Sequence, residues 1–192
     1  MSTFLSAVLA SLSAIVLENV IFTTAFGTST LIELSKKHGQ ILIFGLFITE
    51  FSILSSIISY LFEGIMLKSE ITARFMPSIY ILSLGTVYIF TLLAIWFLSK
   101  SFFKKVKKYV HLSAFNCAVL SALFLGTINS STLGQRIALA AQIGIGFAFA
   151  AYILSINYAK LNSDEIPRAF RGFPIYILYI GIVSMVIFAV SR

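Results

Sequence analysis

Long apolar stretches separated by short polar turns recur six times along the chain, and each predicts a helix. The first runs from about Thr3 to Phe26 and is interrupted by Glu18 and Asn19. The second, Ile41 to Phe62, follows the polar turn Ser35-Lys36-Lys37-His38-Gly39-Gln40. The third, Ser78 to Leu98, is predicted to begin just after Pro77, because proline is favoured in the first turn of a helix. The fourth, His111 to Ile128, is short and carries Asn116 and Cys117; the fifth, Ile137 to Ala159, is rich in glycine and alanine. The sixth, Ile175 to Val190, follows Pro174. About 20 helical residues cross the hydrocarbon core of a bilayer, so the pattern reads as six membrane spans.

Composition agrees. Hydrophobic residues make up 59% of the 192 positions and charged ones only 11%, against roughly 25% in a soluble domain. A soluble enzyme, a secreted disulfide scaffold and a disordered tail are excluded. The net charge of +7 sits in short basic runs between apolar stretches, which suits anionic headgroups and membrane orientation rather than nucleic acid. Ten of the fourteen lysines and arginines fall in the first, third and fifth loops; only Lys68, Arg74, Arg136 and Arg192 lie elsewhere. The positive-inside rule then puts the odd loops in the cytoplasm and both termini outside. The first stretch lacks a basic leader and a small-residue cleavage site, and is read as a retained span.

In the third loop Phe102, Phe103, Val106, Tyr109 and Val110 fall on one helical face and five lysines on the other. That pattern fits an amphipathic helix in the headgroup plane or a plain basic linker. The segment divides the chain into a three-span repeat at 1–98, a linker at 99–110 and a second three-span repeat at 111–192. Ala140, Gly144 and Ala148, with Gly146 and Ala150 alongside, form a small-residue stripe that lets helix backbones approach closely.

Ionisable groups at membrane depth are candidates for function. Glu50 lies mid-span, either as a hydrogen-bonded carboxyl or as a proton or cation site; Glu18 is similar, beside Asn19. One cysteine and two histidines cannot build a self-contained zinc site, so Cys117 is a free thiol, a metal ligand or core packing. Asn19 and Asn116 occupy corresponding places in the first helix of each half, and each is followed by an apolar run and a glycine, Gly27 and Gly126. Matching polar breaks point to an internal repeat, and three spans per half would make the halves inverted.

Three stretches then carry a resemblance. Leu17-Glu18-Asn19-Val20 through Phe26-Gly27-Thr28-Ser29 to Ser35-Lys36-Lys37, Phe115-Asn116-Cys117-Ala118-Val119-Leu120, and Asp164-Glu165-Ile166-Pro167-Arg168-Ala169-Phe170-Arg171-Gly172 together resemble the RnfA/NqrE family over essentially the whole chain. The resemblance implies an all-α membrane subunit of a redox-driven ion pump, in the cytoplasmic membrane. It would be built as two inverted three-helix repeats with broken helices 1 and 4, and paired with a homologous six-helix subunit of opposite topology. It further implies a [2Fe–2S] cluster shared at the interface, with Cys117 as a ligand and with Asn19 and Asn116 in the breaks that present the ligands. Ser29 stands where the first ligand cysteine of the pattern belongs, and Thr30 where a proline usually follows. Two readings stay open: a cluster with altered ligation, or a non-redox paralogue acting as assembly scaffold or as a small-ion or solute carrier through Glu18 and Glu50.

Overall fold

The computed structural model describes residue 13 and residues 15–66 and 70–190, with side chains at 13, 15–64 and 74–190. The start of the first expected span, residues 3–12, lies outside the described residues, as do Lys68 and Arg192. All regular structure among the described residues is helical. In chain order the helices are α1 (Val20–Thr24), α2 (Thr28–Ser35), α3 (Ile41–Met66), α4 (Glu70–Leu98), α5 (Lys100–Ala114), α6 (Cys117–Asn129), α7 (Leu133–Ile156), α8 (Tyr158–Leu161) and α9 (Phe173–Val190).

Four runs are long and apolar enough to cross a membrane unbroken: His38–Gly64, Arg74–Leu98, Leu133–Ile156 and Phe173–Val190. Two more candidates are bent. Ile15–Thr24 and Thr28–Ser35 meet at 106°, and Lys100–Ala114 and Cys117–Asn129 at 45°, giving six if each bent pair is one span. Large apolar side chains such as Leu42, Phe97 and Leu98 lie exposed, the expected state of a surface solvated by lipid.

The third helix starts earlier than the sequence suggested. It begins at Glu70 and carries Pro77 in its interior. Proline removes one donor and pushes against the carbonyl four residues back. The apolar residues beyond it continue the ladder because no water competes for the remaining backbone groups. The lysine-rich segment is helical: Ser99 caps α5 by accepting from the Phe102 amide at 3.3 Å, and Val106 and Val110 are buried. The helix is tied to α4 where the Tyr88 hydroxyl meets His111 Nδ1 at 2.5 Å and the Tyr88 and Phe115 rings stand 5.2 Å apart. Val106 and Val110 therefore pack on protein, while Phe102 and the lysines Lys104, Lys105, Lys107 and Lys108 stay exposed.

Two compact units divide the chain: one joins Met1–Leu42 with Ile145–Arg192, and the other is the continuous segment Ile43–Gly144. In the first, α9 is fastened to α1 by the Ser184 hydroxyl donating to the Phe22 carbonyl. Asn157 donates to the Tyr179 hydroxyl at 2.8 Å, and Tyr158 stacks on Tyr176 with centroids 6.0 Å apart. In the second, Phe44, Phe51, Leu84, Val87, Val119 and Leu123 form a buried core.

The small-residue stripe of α7 reaches its tightest point in this second unit. A Cβ at Gly144 would stand 2.6 Å from the Cα of Thr49 on α3, and closer still to its hydroxyl. Only a glycine permits that separation. Gly144→Ala should lower the melting temperature of the detergent-solubilised protein, by the 1–3 kcal/mol typical of overpacking. Thr49→Ala should restore only part of the loss, since the clash with the Cα remains. An unchanged melting temperature in Gly144→Ala would refute the close packing.

Candidate functional site

Both broken spans turn on an asparagine. Asn19 leaves helical geometry at φ −64° and ψ 119°, and its Oδ1 accepts from the Ile21 amide at 3.0 Å. Asn116 does the same at φ −94° and ψ 137°, accepting from the Ala118 amide at 3.0 Å. Each thus caps the helix that restarts behind it, supplying an acceptor to one of the amides that a helix N-terminus leaves unpaired. Both side chains are buried, at 3% and 1% exposure, so no water would replace them.

The two caps then differ. Asn19 Nδ2 donates to the Gly146 carbonyl at 2.8 Å; a Cβ at Gly146 would press on that amide at 3.0 Å, so the glycine makes room for the bond. Asn116 Nδ2 is buried without a partner. The first span also breaks a second time. Ala25 closes α1 in the left-handed region at φ 59°, and Gly27 opens α2 at φ 83°. Two left-handed residues within three positions produce the sharp bend. Glycine takes that conformation freely, while alanine adopts it at a cost of roughly 1–2 kcal/mol.

The breaks bring polar groups to the surface. Cys117 is the first residue of α6 and its thiol is free and exposed. Ser29 is the second residue of α2 and is also exposed. A helix N-terminus leaves backbone amides unpaired beside such a side chain. Asn19 and Ser29 belong to the first unit; Asn116, Cys117 and Glu50 belong to the second. Glu18 lies exposed in the turn before Asn19. Glu50 is half-buried and accepts from the Thr91 hydroxyl of α4 at 3.1 Å.

The strongest polar cluster escaped the sequence reading. Glu63, near the end of α3, pairs with Arg136 of α7 at 2.5 Å, with side chains only 2% and 7% exposed. Glu63 Oε1 also accepts from Ser59 at 3.1 Å and Thr127 at 2.9 Å, and Thr127 in turn accepts from Tyr80 at 2.8 Å. The guanidinium lies 5.0 Å from the centroid of the Tyr60 ring. One network therefore joins α3, α4, α6 and α7. Its two charges are 73 residues apart, at helix ends where a charge reads as interfacial, so no spacing rule links them.

The loop before α9 is organised by Arg171. It reaches the Ile166 carbonyl at 2.8 Å, the Asp164 carbonyl at 2.5 Å and the Asp164 carboxylate at 3.1 Å, and Gly172 follows at φ 87°. The sequence offers Arg171 two acidic partners in this loop, Asp164 or Glu165, and the pairing formed is with Asp164. It closes a turn and builds no pocket.

The model of the Rnf-Nqr subunit family, described as a membrane protein, matches residues 7–191. The chain belongs to the Rnf-Nqr family. Its relatives are distant but aligned over nearly their full length. An ion-translocating oxidoreductase complex subunit from Glaesserella parasuis is 24% identical over 179 residues, covering 93% of this chain and 92% of that one. A Na(+)-translocating ferredoxin:NAD(+) oxidoreductase complex subunit from Acetobacterium woodii is 23% identical, covering 91% of each. A Na(+)-translocating NADH-quinone reductase subunit from Hahella chejuensis is also 23% identical, again covering 91% of each. The family assignment makes the chain a membrane subunit.

The Glu63–Arg136 pair gives a direct test of how this family member holds its second unit together. Removing one partner leaves a buried, uncompensated charge, which costs about 3–5 kcal/mol. Arg136→Met alone should therefore strongly reduce the yield of folded protein. The double variant Glu63→Leu, Arg136→Met should recover most of it in thermal melts. A double variant worse than either single one would show that the pair does more than neutralise itself.

Proposed function

We propose that this chain is the membrane subunit of a redox-driven, ion-translocating electron-transport complex. In this reading it passes electrons across the cytoplasmic membrane at a centre shared with a homologous six-helix subunit of opposite topology. The observation that carries it is the Asn116 cap, which interrupts an apolar span and presents the exposed Cys117 thiol at the start of α6. In lipid such a break frees backbone groups that no water can satisfy. A bilayer tolerates one only where protein covers it. The names of the relatives, all ion-translocating oxidoreductase or reductase subunits, support the same reading. So do the two bent spans with matching asparagine caps, which suit two inverted three-helix repeats.

Cys117 suits one ligand position of a [2Fe–2S] cluster, for its thiol is exposed and stands at a helix N-terminus. Ser29 is exposed and similarly placed on α2, but its hydroxyl is a harder and far more basic donor than a thiolate. Among the described residues no three His, Cys, Asp or Glu side chains gather as a metal site. In this reading a homologous partner brings the remaining ligands. A bound cluster would supply one-electron relay in mid-membrane. The chain's own contribution is positional: Asn116 fixes the backbone before Cys117, and Gly27 turns the chain that carries Ser29. The serine at this position favours one other reading, a paralogue without a cluster that serves as scaffold or ion carrier through Glu18 and Glu50.

Iron analysis of the purified, assembled complex separates the two. Cys117→Ala should abolish the cluster signal assigned to this subunit. Ser29→Cys should strengthen cluster retention, because thiolate binds iron better than an alcohol at neutral pH. A wild-type complex without iron at this subunit, and no gain in Ser29→Cys despite normal assembly, would leave the carrier or scaffold reading.

Orientation is tested separately. With ten of fourteen basic residues in the odd loops, a reporter active only in the cytoplasm and fused after Arg192 should be silent. Activity there would invert the topology.

A further inference from the structure

Helix α3 changes character halfway along its buried face. In its first half that face is apolar, with Phe44, Ile48 and Phe51 essentially inaccessible. In its second half it is polar: Ser52, Ser55, Ser56 and Ser59 follow at i, i+3, i+4 and i+7, none more than 2% exposed, and Glu63 comes one turn later. From Ser52 to Glu63 the helix rises about 16 Å, roughly half the thickness of the hydrocarbon core.

The serines do not behave as other hydroxyls in this unit. Thr49, Thr86, Ser83 and Ser113 each donate to the carbonyl four residues back on their own helix, at 2.7–2.9 Å. The Ser52, Ser55 and Ser56 hydroxyls are buried with no protein partner, and Ser59 instead donates to Glu63. Arg136 Nε, on the guanidinium paired with Glu63, is likewise buried and unpartnered. Close helix packing alone does not account for this, since alanine would fill the same space without burying a hydroxyl. Buried polar groups left unpaired by protein are ordinarily satisfied by water or an ion.

We propose that Ser52, Ser55, Ser56 and Ser59 line a hydrated half-route. Along it a small monovalent cation, H⁺ or Na⁺, reaches the middle of the membrane from the face bearing Glu63 and Arg136. Glu63 Oε1, already gathering the Ser59 and Thr127 hydroxyls, is the oxygen-rich mouth of the route, and the ion pair with Arg136 keeps its charge compensated when no cation is there. Phe44, Ile48 and Phe51 close the other half. The cargo rests on the ion-translocating function proposed above; the hydrated route does not.

Accessibility to a charged, membrane-impermeant methanethiosulfonate reagent tests the route in sealed vesicles carrying the assembled complex. Single cysteines replace Ser52, Ser55, Ser56 and Ser59 in turn, with Ile48→Cys as the apolar control. Ser131→Cys, in the exposed turn before α7, is the positive control for the Glu63 face. Peptide mass spectrometry reads each site separately from the native Cys117. The serine positions should label only from the side that labels Ser131→Cys, and Ile48→Cys should label from neither. If Ser131→Cys reacts while positions 52, 55 and 56 do not, the serines are packing and the proposal falls. Labelling at position 48 from the opposite face would overturn the half-route.

A second measurement reads the cargo. In Ser55→Ala, Ser56→Ala, redox-driven acidification or ²²Na⁺ uptake should fall several-fold at unchanged electron transfer and an equal or higher melting temperature. Which of the two signals falls identifies the cation. Unchanged uptake per electron would refute the transport role of the serines. Positive labelling with no redox-driven uptake in the wild-type complex would instead refute the ion-translocating reading and leave the hydrated route standing.

Discussion

A backbone amide released inside an apolar span has no water to turn to, and the arrangement of this protein follows from how it meets that demand. Two spans are broken, and each has one break closed by an asparagine whose side chain accepts from the amide two residues on; the sharp bend of the first comes later, at Ala25 and Gly27. An alanine at either position would leave that amide unpaired, at a cost of about 0.5–2 kcal/mol even where water is available. The Asn19 cap draws Gly146 into the scheme, since its second amide group bonds the Gly146 carbonyl and only a residue without a side chain lets it close. Sites of close approach, sites of unwinding and buried asparagines are therefore parts of one solution.

That solution allows a span to end partway and a new helix to start with its N-terminus and first side chain accessible. Cys117 occupies such a start, Ser29 follows the uncapped turn at Gly27, and both are exposed. In an isolated chain an exposed thiol on a membrane helix has little to do. In an assembly it is where a second polypeptide would complete a site that one chain cannot hold. One thiol and one hydroxyl make an unequal pair of donors, and this inequality, more than the fold, separates the redox reading from the carrier reading.

Polar groups elsewhere follow a different logic. Glu63 and Arg136 neutralise each other near one end of their helices, with Ser59, Thr127, Tyr80 and Tyr60 completing the network. Beside them, Ser52, Ser55 and Ser56 on α3 hold buried hydroxyls with no protein partner. Glu50, half-buried and bonded to Thr91, stands apart from this row in its contacts as well as its exposure. A mid-span carboxyl is the conspicuous feature in a sequence, yet the denser network formed around the less conspicuous one.

The sequence by itself determined that the chain is helical and membrane-spanning, because the length and apolarity of its stretches leave no other way to solvate the backbone in lipid. It also located the breaks at Asn19 and Asn116, since an asparagine inside an apolar run has few uses besides capping, and it offered Asp164 or Glu165 as a partner for Arg171. Local rules were insufficient at Pro77, where helix on both sides outweighed one missing donor. Tertiary structure alone decided which distant residues meet. Glu63 and Arg136, Thr49 and Gly144, and Asn19 and Gly146 are brought together by helix packing, which depends on fits across the whole unit and leaves no trace in the spacing of residues along the chain.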